Sequence, residues 1–149
     1  MLACTDTSGE EEFLPMVKGF AKQARGIILT FDVSDRKSLE VCDYWVRELS
    51  KEGEPKRAAV AVGNKIDLVD QRKISTEEAQ AHFESMYPSI PYFEASALTG
   101  EGVEEPFMKV SMMVLKEIWT IVPQSNENAD VPVEAEERSP ETDGKCVIC

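Results

Sequence analysis

The chain has 149 residues, 42% of them apolar, which is enough for one domain with its own core. A formal charge of -12 excludes nucleic acid as a partner held by charge, because a polyanion would be repelled. No stretch reaches the ~18 to 20 consecutive apolar residues of a membrane span. The start, Met1-Leu-Ala-Cys-Thr-Asp6, has neither the basic region nor the apolar run of a signal peptide, so a cytosolic protein is expected.

In chain order, Leu2-Ala-Cys-Thr5 is a short strand-like run. Gly26-Ile-Ile-Leu-Thr-Phe31 and Ala58-Ala-Val-Ala-Val62 are nearly continuous apolar runs, the pattern of parallel strands buried on both faces. Pro91-Tyr-Phe-Glu94 reads as a further strand whose proline suits a start or an edge. Helices fall between these runs. Leu39, Cys42, Trp45, Val46 and Leu49 share helical spacing, with Gly53 and Pro55 ending the segment. Ser75-Thr-Glu-Glu78 is a capping box ahead of Ala79, His82, Phe83 and Met86. Val103, Phe107, Val110, Val114, Ile118 and Ile121 form a long stripe stopped by Pro123. Strands alternating with crossover helices predict an open α/β sheet, in which ligands bind beyond the carboxyl ends of the strands.

Residues 123–149 differ in kind. Glu127, Asp130, Glu134, Glu136, Glu137, Glu141 and Asp143 face only Arg138 and Lys145 as bases, with Pro132 and Pro140 among them. So acidic and aromatic-poor a stretch buries too little apolar surface to offset ordering entropy, and a disordered tail is expected.

The chemistry sits at the strand ends. Gly63-Asn-Lys-Ile-Asp67 follows the second long strand. A carboxylate placed like Asp67 accepts two hydrogen bonds from adjacent N–H groups on the edge of guanine, a pair that adenine lacks. Asn64 ties the loop and reaches the base, and the stem of Lys65 lies across the ring. In Glu94-Ala-Ser-Ala-Leu-Thr-Gly100 the Ser96-Ala97 turn offers backbone N–H groups to the base oxygen, while Ser96 braces the loop. In Asp6-Thr-Ser-Gly9 the acid could hold magnesium through water, and Gly9 could bring its N–H against a terminal phosphate. Each motif is weak alone; their order and spacing make the combination specific.

From about Leu2 to Val122 the chain resembles the small GTPases of the Ras superfamily, and the Rab branch most. The resemblance is carried by Asp6-Thr-Ser-Gly-Glu-Glu-Glu-Phe13, Gly26-Ile-Ile-Leu-Thr-Phe-Asp-Val33, Gly63-Asn-Lys-Ile-Asp-Leu68, Ser75-Thr-Glu-Glu-Ala79, Glu94-Ala-Ser-Ala97 and Thr99-Gly-Glu-Gly-Val-Glu104. It implies a P-loop NTPase-like three-layer sheet with helices on both faces, here a partial domain over residues 1–122 without the first strand, first helix and second strand. It further implies a vesicle-traffic switch that exchanges GDP for GTP with Mg2+, served by effectors, an exchange factor and a prenylation escort.

The sequence departs from that family in two respects. No G-x-x-x-x-G-K-[ST] occurs, so the loop that cradles the phosphates and the threonine of the first switch are lacking. Losing about four charge-assisted hydrogen bonds at ~1.5 to 3 kcal/mol each weakens affinity by at least ~6 kcal/mol, roughly four powers of ten. The second departure is Glu10, which stands where the family has the glutamine that orients the attacking water. A carboxylate there repels phosphate oxygens and slows hydrolysis, unless Glu10 points into solvent. Leu98 replaces a lysine common after the Ser-Ala pair, a mild change.

The lost first strand belongs between Leu2–Thr5 and Gly26–Phe31, so an exposed apolar edge, an unpartnered first segment and low stability are expected. Phe13, Phe20 and Trp45 resemble the aromatic patch shown to effectors, with Trp45 equally readable as core. His82 reads as packing and Cys42 as a small buried hydrophobe. Lys145-Cys-Val-Ile-Cys149 matches C-a-a-X, which points to prenylation of Cys146, with Cys149 a second lipid site. A single lipid binds membranes marginally, so the cytosolic face of endomembranes would be held with a second lipid or a receptor. Two functions remain: a Rab-like GTP-binding switch impaired in binding and hydrolysis, or a non-switching module that competes for Rab partners.

Overall fold

A computed structural model describes residues 3–7, 13–49, 51, 57–121 and 146–148. In chain order it contains β1 (Ala3–Thr5), α1 (Leu14–Gln23), β2 (Gly26–Asp32), α2 (Arg36–Leu49), β3 (Ala58–Asn64), α3 (Thr76–Met86), β4 (Tyr92–Glu94), α4 (Glu104–Ile121) and β5 (Cys146–Ile148). The strands form one parallel sheet in the order β1-β5-β2-β3-β4.

Its centre is the pairing of β2 with β3, in register from Gly26 opposite Ala58 to Asp32 opposite Asn64. Continuous apolar sequence makes this pair because side chains alternate between two buried faces. On one face Ile27, Leu29, Phe31 and Ala61 join Ala21, Cys42, Val46, Ala79 and Phe83 from α1, α2 and α3. On the other, Ile28, Ala58, Val60 and Val62 pack with Val110 and Val114 of α4. Phe83 stacks on Tyr92 at 5.7 Å and on Phe31 at 6.1 Å, fixing α3 over the sheet. The offset ring pairs contribute about 0.5 to 1.5 kcal/mol each beyond their burial.

The helices follow local rules. Ser75 caps α3, its hydroxyl oxygen accepting the Glu78 N–H at 3.1 Å, as the capping box predicts. Helix α1 was not legible from periodicity; Pro15 sits in its first turn, where a missing N–H costs nothing. Cys42 is buried, and burial pushes its thiol pKa up to about 12, which leaves it an inert core residue. Trp45 packs half-buried against the first core, whereas Phe13 and Phe20 are exposed. His82 does more than pack: it bonds Oδ1 of Asp43 at 2.8 Å and ties α3 to α2.

One expectation about the sheet needs correction. β1 does have a partner, because Ala3, Cys4 and Thr5 pair with Cys146, Val147 and Ile148. Those last three residues, within the stretch expected as a tail, form β5. Valine and isoleucine have high strand propensity, and β5 pairs with β1 on one side and β2 on the other. The rest of that expected tail, residues 123–145 and Cys149, lies outside the described residues.

Candidate functional site

Three connections converge beyond the carboxyl ends of β2, β3 and β4. Strand β3 delivers Asn64 and Lys65, β4 leads into Ala95 and Ser96, and β2 ends at Asp32. The side-chain oxygen of Asn64 accepts the N–H of Lys65 at 2.8 Å and that of Ala97 at 3.0 Å. One amide therefore sets both loops. Ile66 N–H donates to Ala95 O at 3.3 Å and Ala95 N–H to Gly63 O at 2.9 Å, so the loops also share backbone bonds.

Ser96 is fully buried. Its hydroxyl donates to Oδ1 of Asp67 at 2.5 Å and accepts the Thr99 N–H at 3.1 Å. Among the described residues no donor is bonded to the second oxygen of Asp67. Asp67 is half-buried, and an ionised carboxylate is an acceptor only, with two oxygens.

Lys65 takes a left-handed backbone conformation, φ 68°, a strained state for a residue with a side chain. Its ammonium bonds Oδ2 of Asp32 at 2.6 Å, so the stem is held between its backbone and β2. That carboxylate raises the Lys65 pKa above the usual lysine range. Burial pushes the Asp32 carboxyl up, but Lys65 and the two bonds from Ser34 together outweigh it and leave it below the usual range.

Behind these loops stands a buttress that sequence spacing did not reveal. Arg72 meets both carboxylate oxygens of Glu94, at 2.8 and 3.0 Å, while Thr76 and Tyr92 donate to the same carboxylate at 3.1 and 2.8 Å. Gly102 has φ 68°, and a Cβ there would run into the Glu94 carbonyl. The Thr99-Gly-Glu-Gly turn thus packs directly on the strand end that carries Ser96.

A cleft of about 110 Å3 opens beside the loops, lined by Ile28, Thr30, Val62, Asn64, Ala97 and Phe107 among others. Of the residues expected to act, the structure unites Asn64, Lys65, Asp67, Ser96 and Ala97. It differs on one point: the Ala97 N–H, expected to face the base oxygen, donates to Asn64. Leu98 is 83% exposed beside it. Asp6 is exposed at the end of β1, and Gly9, Glu10 and Cys149 lie outside the described residues. Among the described residues no three His, Cys, Asp or Glu side chains converge.

The geometry is that of two mutually bonded loops beyond the strand ends of a parallel sheet, and comparison with known proteins gives the chain's family. The Ras family model matches residues 1–116, and the chain belongs to that family. Among its relatives it is similar to Rab proteins: 35% identical over 109 residues to the Ras-related protein RABD2c of Arabidopsis thaliana, covering 73% of this chain and 53% of the relative. It is 34% identical over 113 residues to Ras-related protein Rab-4 of Dictyostelium discoideum, covering 76% and 54%. Ras-related protein Rab-30 of Homo sapiens is 30% identical over 129 residues, covering 87% and 63%. The chain spans about half the length of the first two of these relatives.

Proposed function

We propose that this chain is the guanine-reading half of a Rab-like small GTP-binding protein, a nucleotide switch of vesicle traffic. The observation that carries this reading is the bonded set Asn64–Ala97 and Asp67–Ser96, which fixes two loops around one open carboxylate edge. Asp67 accepts the paired N–H donors of guanine; Asn64 and Ser96 position the loops; the anchored stem of Lys65 covers the ring. The Ala97 N–H reaches the base oxygen only by sharing with, or leaving, Asn64. Exchange of the bound GDP for GTP would drive switching.

Grip on the phosphates is weak in this reading, since the sequence contains no G-x-x-x-x-G-K-[ST]. Asp6 and Gly9 are then left for metal and terminal phosphate, and Glu10 slows any hydrolysis. Effectors, an exchange factor and a prenylation escort are the partners this implies. Lipid on Cys146, with Cys149 second, holds the protein to the cytosolic face of endomembranes. The same missing motif also favours a second reading, a non-switching module that competes for Rab partners. Titration with GDP, with and without magnesium, tests the proposal. Weak binding with little magnesium dependence is expected; tight magnesium-dependent binding contradicts the impaired grip, and no GDP binding at all leaves the competing module.

A further inference from the structure

Asp32 ends β2 directly opposite Asn64, the last residue of β3, and the left-handed Lys65 follows at once. Both oxygens of the Asp32 carboxylate are committed. Oδ1 accepts the Ser34 N–H at 2.7 Å and the Ser34 hydroxyl at 2.6 Å, while Oδ2 accepts the Lys65 ammonium at 2.6 Å. The Asp32 backbone is pinned too: its N–H donates to the Ser38 hydroxyl at 2.9 Å, and that hydroxyl donates to the Asp35 carbonyl at 2.6 Å. The carboxylate, 19% exposed, is a fixed point that holds the head of a lysine side chain 52% exposed.

Such a pair adds little to the fold. An ion pair with an exposed lysine gains modest energy in water, and β2 already pairs with β3 along its whole length. The consequence of the contact is positional. Lysine carries its charge on a long flexible stem, and fixing that stem at both ends removes most of its rotamers before any ligand arrives. Resting on the reading of these loops as a guanine site, we propose that Asp32 is a positioning residue for purine binding, acting through Lys65 to hold its stem in place as the surface on which the ring lies. Asp67 then reads the edge of the ring and the Lys65 stem meets its face. That face is alike in guanine and hypoxanthine, whereas guanine adds the amino group that completes the N–H pair on the edge. Asp32 thus sets affinity for purines in common, and Asp67 sets the choice among them.

Calorimetric titration of the full chain with GDP and with inosine diphosphate tests this in the parent, Asp32→Asn, Lys65→Met and the double variant. Asparagine still accepts from Ser34 but carries no charge for an ammonium; methionine keeps an unbranched stem with no head to anchor. Asp32→Asn is expected to weaken both diphosphates by the same factor, about three- to tenfold, the effect of ordering one long side chain. In the Lys65→Met background the same substitution should change affinity by less than about twofold, because a residue that acts through Lys65 has nothing left to act on. Unchanged affinity in Asp32→Asn, or an equal loss in both backgrounds, overturns the positioning role. GDP binding no tighter than inosine diphosphate, with the Asp32 effect intact, overturns the guanine reading and leaves the positioning role standing.

Labelling with acetic anhydride, followed by mass spectrometry, reads the contact without any nucleotide. Lys65 should be acylated about threefold or more slowly in the parent than in Asp32→Asn, since pairing holds the amine in its protonated, unreactive form. Equal rates overturn the contact itself. A parent that binds neither diphosphate overturns the purine reading and the positioning role together, while the labelling still decides the contact.

Discussion

Ser96 donates its hydroxyl proton to Oδ1 of Asp67 at 2.5 Å, across 29 positions of sequence. The bond orients the Asp67 carboxylate, and it does so from a fully buried side chain. Ser96→Ala removes this bond and the one from Thr99 N–H. A loss of about 1.5 to 3 kcal/mol in stability is expected, since a hydrogen bond to a charged group is worth that much. Denaturant unfolding of the variant measures it; an unchanged midpoint would show that the bond contributes nothing.

Gly102 and Gly100 make a paired test of the turn behind Ser96. Both have positive φ, 68° and 85°, but only at Gly102 would a Cβ collide with the Glu94 carbonyl. Gly100→Ala should cost about 1 to 2 kcal/mol from backbone conformation alone. Gly102→Ala adds a backbone clash and should cost clearly more. Equal thermal shifts for the two variants would remove the close approach from the explanation.

The Arg72–Glu94 pair gives a pH dependence. Burial pushes the Glu94 carboxyl up, yet the bonds from Arg72, Tyr92 and Thr76 outweigh it, and its pKa lies below the usual glutamate range. A carboxyl whose folded pKa is depressed contributes stability fully present above its unfolded value of about 4.3. That contribution is lost as pH falls through the lower folded value. Arg72→Ala leaves the carboxylate half-buried with fewer partners and should cost about 1 to 3 kcal/mol at neutral pH. As pH falls through that lowered folded pKa the variant and the parent should converge, read from urea midpoints across pH. A gap that persists in acid would assign the loss to packing of the arginine stem.

Much of the fold is legible in the sequence because its strands are buried on both faces. Gly26–Phe31 and Ala58–Val62 have no polar face to confuse their period, and they form the central pair. The placement of the two loops is legible as well, since Asn64, Lys65, Asp67, Ser96 and Ala97 lie next to strand ends that the apolar runs announce. What the sequence hides is pairing at a distance. Arg72 and Glu94 are separated by 22 positions and Lys65 from Asp32 by 33, and no periodicity links such residues. β5 was hidden for a different reason. Its three residues are too few to show a period, and the strand is defined by its pairing with β1 and β2.

The central claim is that Asp67 and the loops around it choose guanine. The most direct measurement is calorimetric titration of the full chain with GDP and with ADP at the same salt and magnesium. The two nucleotides share their phosphates, so any difference belongs to the base. GDP is expected to bind about a hundredfold or more tightly than ADP, because a site built for the guanine N–H pair leaves its carboxylate unpaired against adenine. Asp67→Ala should bring the two together. Equal affinity of the parent chain for GDP and ADP would contradict the guanine-reading site.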